Sequence, residues 1–455
     1  MIRCVLTLPI KTEKWQADVI NKRLEIQRQV YNAMLGYELK KFNELKRNPE
    51  YKEATNTLYE CASNGRKGCA EYKAAGKRRT ELLREYGFSE FTFISDAQRF
   101  SKHFSENISS NASSVSIASV MWKAFDTMLF GKGDAVHFKK QDSIHSVATN
   151  GKSFLRIVDA SDKTVMKRTD ESALFVSYGL RGHKVLKMPI KLRLKNDYET
   201  EMLGMPIKQV RLLRKKEKGV YKYYVQLCLD GEPAIKFDKE TGELKHPIKD
   251  GKVGIYVTTK NVTVATNDRI INYSLSEGCP NYSDRITELQ RYMDNSRRAT
   301  NPDNFNEDGT IKKGIMVNGE RQRLKWTFSN RYIKAKNEVA ELKRLEKVHR
   351  ELHHQKLANE ILALGNDLRI NEYSFKMAMK RSEEDELKEN GTPASKKRGG
   401  KNIGENAPSM LISMLERKLA NVEDAVVTKY RISDEPGYEV SRYDGEKWSA
   451  FLLNL

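Results

Sequence analysis

Basic and aromatic side chains concentrate in the segment RLLRKKEKGVYKYYVQL, where they could bind nucleic acid. Six cationic residues and three tyrosines surround the expected turn: Arg211, Arg214, Lys215, Lys216, Lys218, Lys222, Tyr221, Tyr223 and Tyr224. Ammonium and guanidinium groups contact phosphates, and exposed aromatic rings stack on bases. A solvated hairpin whose tyrosines pack inward fits the same residues equally well. The segment therefore leaves a nucleic-acid surface and a plain hairpin as two open interpretations.

Further basic residues could contact a nucleic-acid backbone: Lys77, Arg78, Arg79, Lys139, Lys140, Lys152, Lys396, Lys397, Arg398 and Lys401. The first three alternate with Glu71, Glu81 and Glu85, so a solvated helix face competes with a binding role there. The run at 396–401 lies in a segment rich in Lys, Glu and Gly. That segment is either a contact loop or a disordered stretch.

Metal-dependent cleavage of a phosphodiester would need carboxylates at three separated positions after residue 249. There the patterns predict three closely spaced strands (VGIYVTT, NVTVATN and RIINYSL), a long helical pair, the strand DLRINEY and a helix. This is the element order of an RNase H-like domain. Nucleases of that fold carry one carboxylate in the first strand, one on a later strand and one near a C-terminal helix. Together these carboxylates hold two Mg²⁺ ions across the scissile phosphate.

Two other kinds of element precede that region. Residues 2–10 alternate and predict an opening strand, and apolar residues at helical spacing between positions 12 and 130 predict a helical block. From position 135 to about 235, short strands separated by polar turns predict an antiparallel sheet or barrel.

The composition narrows the class of protein. The chain has 455 residues, with 81 Lys and Arg against 61 Asp and Glu and a net charge of +20. The length predicts two to four domains of about 100–200 residues. The charge favours nucleic acid as a partner over a merely solubilising surface. A collagen, a disulfide scaffold and a disordered chain are excluded. The sequence has no bilayer-spanning apolar run, no signal-peptide pattern and no CxxC pair among its five cysteines, so we expect a cytoplasmic protein with reduced thiols.

Several segments resemble the TnpB family of transposon-encoded, RNA-guided nucleases, which are relatives of the ancestors of type V CRISPR effectors. They are TEKWQADVINKRLEIQRQVYNAML, AFDTMLFGKGDAVHFKK, TNGKSFLRI, VGIYVTTKNVTVAT, LQRYMDNSRRATNPDNFNEDGTIKKG and WSAFLL, in order along nearly the whole chain. The resemblance implies an α+β multidomain fold. A helical recognition domain (about 11–130) would be inserted into an antiparallel β wedge barrel (1–10 and 131–248). A degenerate RuvC domain, which is RNase H-like, would follow at 249–455.

The domain is called degenerate because this chain departs from the family at the three acidic positions. Where the family reads GIDxG, this chain places Tyr256 at the Asp position. Asn371 stands at the Glu position of a motif resembling I-E-x-x-S-F, and Glu446 stands where the third motif has Asp. A phenol and a carboxamide cannot supply the charge that two Mg²⁺ ions require. The resemblance with these departures implies an inactivated nuclease that binds no catalytic Mg²⁺.

A structural zinc ion is also not expected. Many members of the family carry a CxxC…CxxC segment between the second and third motifs, but residues 420–448 contain no cysteine, so the zinc-binding segment is missing or reduced. His349, His353 and His354 lie at helical spacing and could in principle ligate a metal. Their helix is rich in Lys and Glu and offers no cysteine partner, so we predict that they face solvent.

The resemblance implies a function that does not need cleavage. A guide RNA would read the target by base pairing, while the protein holds the heteroduplex backbone and a short flanking motif of double-stranded DNA. We therefore expect a bacterial transcription repressor, monomeric in its complex, that acts at the nucleoid by occupying a promoter. One alternative is an active RNA-guided endonuclease in which Glu372, Asp367 or Asp444 completes a shifted site. The others are a guide-RNA-binding competitor of an active relative and a decayed remnant without function.

Overall fold

The computed structural model describes residues 3–131, 133–150, 155–159, 174–179, 185–192, 197–238, 240–317, 320–375, 400–442 and 444–455. The chain forms two compact units, Met1–Ala234 and Ile235–Leu455. Both units combine helices with antiparallel strand pairs, which confirms the mixed α+β class predicted from the sequence. Among the described residues, no helix has both the length and the apolar character needed to cross a bilayer.

In the first unit the helices precede most of the strands. The helices are α1 (Lys14–Arg47), α2 (Pro49–Ser63), α3 (Ala70–Glu85), α4 (Glu90–Ser101), α5 (Ser110–Ser113), α6 (Ser119–Phe130) and α7 (Asp197–Leu203). The strands are β1 (Arg3–Ile10), β2 (Ser146–Asn150), β3 (Leu155–Asp159), β4 (Leu174–Tyr178), β5 (Leu186–Pro189), β6 (Ile207–Glu217) and β7 (Val220–Asp230). Helices α1 to α6 therefore lie in the chain between two strands of one sheet.

Helix α1 is long because its first turn is capped and its apolar residues recur on one face. Glu13 and Gln16 form a capping box in which Gln16 Oε1 accepts the Glu13 backbone N–H at 2.9 Å. Leu24 and Met34 on the buried face belong to the same hydrophobic core as strand residues such as Leu8. The helices and strands of the first unit thus share one core.

The strands of the first unit form two antiparallel sheets, with the orders β1-β7-β6-β2 and β3-β4-β5. Strands β6 and β7 make a hairpin whose turn residues, Lys218 and Gly219, both have positive φ (49° and 81°). Two positive φ values are what a type I′ hairpin turn requires. A bridge between Ile10 and Ile190 joins the end of β1 to the chain that follows β5. The two sheets therefore meet at that corner.

The second unit is built around a mixed sheet. Its strands are β8 (Lys252–Val257), β9 (Asn261–Ala265), β10 (Ile270–Ser274), β11 (Ile315–Val317), β12 (Glu320–Gln322), β13 (Asp367–Asn371) and β14 (Val426–Tyr430). Its helices are α8 (Ser283–Thr300), α9 (Asn330–Leu362), α10 (Gly400–Asn406), α11 (Pro408–Leu419), α12 (Tyr438–Ser441) and α13 (Gly445–Asn454). The sheet order is β10-β9-β8-β13-β14, in which β8, β9 and β10 are antiparallel and β8, β13 and β14 are parallel.

Helix α13 packs directly on strands β8 and β9 because two glycines allow a close approach. A Cβ atom added at Gly254 would overlap the carbonyl oxygen of Ser449, and one added at Gly445 would overlap the Thr263 hydroxyl. Any larger residue at either position would push the helix off the sheet. The C-terminal helix is therefore held against the strand that carries Tyr256.

The second unit includes the segment that precedes strand β8 and begins at Ile235. The sequence analysis assigns residues up to 248 to the wedge domain, and that assignment stays a prediction. The backbone N–H of Lys249 donates to the carbonyl oxygen of Leu362 at 3.1 Å, and Asn359 Nδ2 lies 3.2 Å from His246 Nδ1. These contacts attach the end of the connecting segment to helix α9.

Candidate functional site

Tyr256, at the first acidic position of the family motif, is a buried residue of strand β8, 3% exposed. Its hydroxyl donates to the carbonyl oxygen of Arg442 at 2.6 Å and lies 3.5 Å from the Tyr438 hydroxyl. Burial, together with the Tyr438 hydroxyl, raises the pKa of Tyr256 well above its usual range. The phenol therefore stays neutral at physiological pH, and its oxygen is already engaged with the backbone.

The ring of Tyr256 belongs to a cluster of large side chains beside the sheet, called the aromatic cluster here. Its members are Tyr256, Tyr430, Ile432, Tyr438, Trp448, Phe451 and Leu452. The Trp448 ring centroid lies 5.4 Å from that of Tyr438, and Trp448 Nε1 donates to the Ser441 carbonyl oxygen at 2.9 Å. Such edge contacts are a favoured packing geometry for aromatic rings. The surroundings of position 256 are those of a packed core.

Asn371, at the second acidic position, ends strand β13 and is 3% exposed. Its Oδ1 accepts the backbone N–H of Val257 at 2.7 Å, and its Nδ2 donates to the carbonyl oxygen of the same residue at 3.0 Å. The amide thus acts as an additional peptide group that ties the end of β13 to the end of β8. A carboxylate could accept the N–H but would face the carbonyl oxygen with another acceptor. This geometry requires a carboxamide.

The remaining carboxylates of the region occupy separate places. Glu446, at the third position, is exposed in the first turn of α13, and Glu372 is exposed just after β13. Asp444 caps α13, accepting a backbone N–H at 3.0 Å, while Asp367 opens β13 at the opposite end from Asn371. In the described part of the chain, these side chains do not form a group of three within metal-binding distance.

Two histidines differ from the sequence prediction, which places them on a solvated helix face. His354 is fully buried, with Nε2 3.1 Å from the carbonyl oxygen of Leu275, and His353 Nε2 lies 2.9 Å from that of Ser274. Burial lowers the pKa of His354 to about 4. The physical reason is that this turn of α9 packs against the end of β10, so the two rings join helix to sheet.

Arg214, proposed from the sequence as a nucleic-acid contact, is instead part of the interior. It is 4% exposed, and its guanidinium donates to Asn21 Oδ1 at 2.8 Å and to the carbonyl oxygen of Ile144 at 3.0 Å. It also lies 3.3 Å from Asp142 and 4.4 Å from the centroid of the Tyr221 ring. These bonds occupy the guanidinium, so an external phosphate cannot reach it.

Strand alternation sends Arg211 and Lys215 to the opposite, outward face of the sheet. Polar side chains join all four strands there: Thr7, Asn150, Gln209, Arg211 and Gln226. Arg211 lies at the centre of this row, donating to Gln226 at 3.2 Å and to Gln209 at 3.3 Å. The sequence analysis did not name the three amides or Thr7; period-two alternation with Arg211 would have indicated Gln209, whereas the other three are placed by the register between strands.

One end of the outward face is basic and aromatic. Lys215 is exposed there, with Nζ 5.0 Å from the Tyr224 ring centroid, whereas Lys216, also exposed, lies on the face of Arg214 with its Nζ 5.9 Å from the Tyr221 ring centroid. The Tyr224 hydroxyl donates to Glu217 at 3.0 Å, and Tyr223 is buried with its hydroxyl 3.4 Å from a helix carbonyl. Tyr223 therefore packs inward, as the plain-hairpin interpretation predicts, whereas Tyr224 lies on the outward face, where a nucleic-acid contact stays a prediction.

The other basic candidates are dispersed. Arg78 is paired with Glu50 at 2.8 Å, and Arg79 donates to the carbonyl oxygen of Leu129 at 2.7 Å, which leaves Lys77 as the exposed member of that cluster. The structure leaves Lys140 and Lys401 exposed and Lys139 half-buried. The remaining sequence candidates lie outside the described residues: Lys152, Lys396, Lys397 and Arg398.

Comparison with known proteins gives structural likenesses. No family model matches the chain, and no curated protein matches it. One similar structure is a cryo-EM structure of a Cas12f1–sgRNA–target DNA complex, with TM-score 0.44 and 10% identity, covering 99% of this chain and 98% of that one. Another is a cryo-EM structure of a CRISPR-Cas12f ternary complex, with TM-score 0.24 and 11% identity, covering 98% and 94%.

Proposed function

We propose that the chain is a TnpB-like, nuclease-dead, RNA-guided DNA-binding protein that represses transcription in a bacterial cell. A guide RNA selects the target by pairing, and the protein holds the heteroduplex backbone and a short flanking DNA motif. Occupation of a promoter then blocks polymerase without cutting. The observation that carries the proposal is the pair of reciprocal hydrogen bonds between the Asn371 side chain and the Val257 backbone, which uses the second acidic position for a structural contact.

The second unit is, in this proposal, a degenerate RuvC domain. Support comes from the sheet, in which three antiparallel strands are followed by two parallel strands on the other side of β8, an arrangement that suits an RNase H-like fold. Tyr256 and Asn371 lie on the paired strands β8 and β13 of that sheet, where metal ligands would stand. Both are buried, neutral and hydrogen-bonded, so binding two Mg²⁺ ions would require breaking native contacts.

The first unit supplies, in this proposal, the recognition helices and the wedge barrel. Support comes from the position of α1 to α6 between β1 and β2, and from the bridge of Ile10 to Ile190 that begins to close the sheets on one another. The outward face carries Arg211, Lys215 and Tyr224, which suit contacts with phosphate and base. The excess of basic residues in the whole chain favours a polyanion.

Co-purification followed by a binding and cleavage assay tests the proposal. The full chain is expressed with its native flanking DNA, the bound RNA is sequenced, and a duplex matched to its guide is added in Mg²⁺. Nanomolar binding with uncut DNA supports the repressor. Cutting of the matched duplex would establish an active endonuclease, and tight RNA binding without duplex binding would establish the competitor. If no discrete RNA co-purifies, the RNA-guided function is refuted.

A matched pair of variants tests the outward face. Arg211→Gln with Lys215→Gln removes two charges from it, whereas Lys334→Gln with Lys356→Gln removes two exposed charges from helix α9. If the face contacts phosphates, the first pair lowers the slope of log affinity against log salt by about 1 for each lost contact. The second pair should leave the slope unchanged. Equal slopes in the wild type and both double variants would exclude the outward face from the nucleic-acid interface.

A further inference from the structure

The hairpin of α2 and α3 brings two cysteine side chains into contact. Cys61 lies in the last turn of α2 and is buried, and Cys69 is the half-buried N-cap residue of α3. Their Sγ atoms are 3.8 Å apart. The sequence analysis treated the cysteines as scattered, because a C-x7-C spacing matches no short redox or metal motif. The turn at 64–69 closes that spacing.

The two thiols have different electrostatic surroundings. Cys69 Sγ accepts the backbone N–H of Tyr72 at 3.3 Å, at the positive end of a helix of 16 residues. This hydrogen bond, assisted by the Cys61 thiol and Arg66, lowers the pKa of Cys69, whereas burial raises the pKa of Cys61. Since the thiolate is the reactive form, Cys69 is the nucleophile and Cys61 is a neutral thiol beside it.

We propose that Cys61 and Cys69 form a redox site that a peroxide converts to a disulfide. The Cys69 thiolate attacks one peroxide oxygen, the O–O bond breaks, and the departing hydroxide takes a proton to become water, leaving a sulfenic acid. The sulfur of Cys61 then attacks the sulfenic sulfur, and the S–O bond breaks. The hydroxyl leaves with the Cys61 proton as a second water. Two thiols are oxidised and one peroxide is reduced.

The local structure permits this reaction. The sulfur atoms lie 3.8 Å apart and must approach to about 2.0 Å for the bond to form. The residues between them are mostly exposed, and Gly65 at φ +70° gives the turn a conformation that other residues rarely adopt. The disulfide would fasten the turn that carries Arg66 and Lys67 to the end of α2.

A metal ion at the same place is a less suitable occupant. A carboxylate oxygen of Glu71 lies within 4.8 Å of both sulfur atoms, so three donors are present. A structural zinc site takes four ligands. Glu71 is exposed, and one of its oxygens lies 4.0 Å from the Arg66 guanidinium, which would compete with a cation. The pair of thiols is therefore better suited to forming a disulfide than to binding a metal ion.

Thiol counting by mass spectrometry tests the proposal on the full chain. The native protein is treated with stoichiometric hydrogen peroxide, quenched, denatured and alkylated, and unreduced digests are searched for linked peptides. We expect the five alkylatable thiols to fall to three, with one crosslink between Cys61 and Cys69. Cys61→Ser should accumulate a dimedone-reactive sulfenic acid at Cys69, and Cys69→Ser should give none at Cys61. Cys279→Ser is the control and should still form the crosslink.

Two results would overturn the proposal. One is wild-type protein that retains five alkylatable thiols, or crosslinks elsewhere, at a peroxide dose that oxidises an exposed cysteine in a reference peptide. The other is zinc that co-purifies at one ion per chain and keeps both thiols from reacting until a chelator is added. If a serine variant fails to fold, the linked peptide of the wild-type protein alone decides.

Discussion

The Asn371→Asp substitution isolates the structural role of the second acidic position. The two side chains have nearly the same shape, so the change removes one donor and adds a charge. The N–H of Val257 keeps an acceptor, while its carbonyl oxygen, 3.0 Å from Nδ2 in the native protein, would face a carboxylate oxygen. Protonation of the carboxyl would restore a donor at that place. The penalty should therefore depend on pH.

Its magnitude follows from burial. Leaving a buried carbonyl without its donor costs about 1–3 kcal/mol. Burial raises the pKa of a carboxyl by up to about 3 units, and each unit is about 1.4 kcal/mol when the group must ionise. A raised pKa in the folded state means that stability is lost as pH rises above the ordinary value near 4. We expect a loss of about 4 kcal/mol at pH 8 and about 1–2 kcal/mol at pH 5.

Hydrogen exchange measures this loss locally, which is preferable in a chain with two units. Peptides covering β8 and β13 should lose protection relative to wild type by about 1,000-fold at pH 8 and by about 10-fold at pH 5. Asn281→Asp is the control, because its exposed side chain accepts a backbone N–H at 2.9 Å and a carboxylate does so equally well. Equal protection of Asn371→Asp and wild type at pH 8 would refute the reasoning. So would recovery of protection in Mg²⁺, since that would show that the position still accepts a cation.

Three further substitutions have expected outcomes. Burial raises the pKa of Glu38 to about 7, so the free energy of unfolding of the wild type should decline as pH rises from about 4.5 through 7. In Glu38→Gln this decline should be smaller by roughly 3 kcal/mol at pH 8, as measured by urea unfolding. Gly254→Ala should lower the free energy of unfolding by more than about 3 kcal/mol in the same assay, or prevent folding, because the new Cβ meets the backbone of α13. The control Gly404→Ala has open space around it and should be near neutral. Equal effects of the two substitutions would contradict the packing argument. Arg214→Lys should lower the free energy of unfolding by about 2 kcal/mol, because buried hydrogen bonds are lost. The control Lys215→Gln should lower it by less than about 0.5 kcal/mol. A larger loss in Lys215→Gln than in Arg214→Lys would show that Arg214 is not part of the interior.

The element types were predictable because each depends on local periodicity. The helical spacing before position 130 and the alternation in the β6–β7 hairpin predict the elements that are observed. The inward turn of Arg214 was also accessible, since alternation places it opposite Lys215. Burial of His354 was not, because its helix is rich in Lys and Glu. Only the packing of that helical turn against β10, far away in the chain, excludes water from the ring.

For the candidate site, residue types and residue roles were predictable to different degrees. Motif spacing singled out Tyr256 and Asn371, and their assignment to positions where carboxylates would stand stays a prediction. What the two side chains do depends on partners distant in sequence: Val257 for Asn371, and Arg442 for Tyr256. The contact of Cys61 with Cys69 likewise depends on a turn that returns α3 to α2. Such long-range contacts have no local sequence signal.

Under the proposed function, strand β8 illustrates how a metal position could be lost while the surrounding packing is kept. Gly254 and Tyr256 are two residues apart on β8 and so share a face, the one that helix α13 covers. The glycine is required by the approach of α13, whatever residue follows it. Tyr256 adds to the same contact by packing with Trp448. Under the proposed function, returning Asp to position 256 would bury a charge in the aromatic cluster, and Asn371 would still hold Val257. Recovery of cleavage would therefore require repacking of α13 as well as new carboxylates.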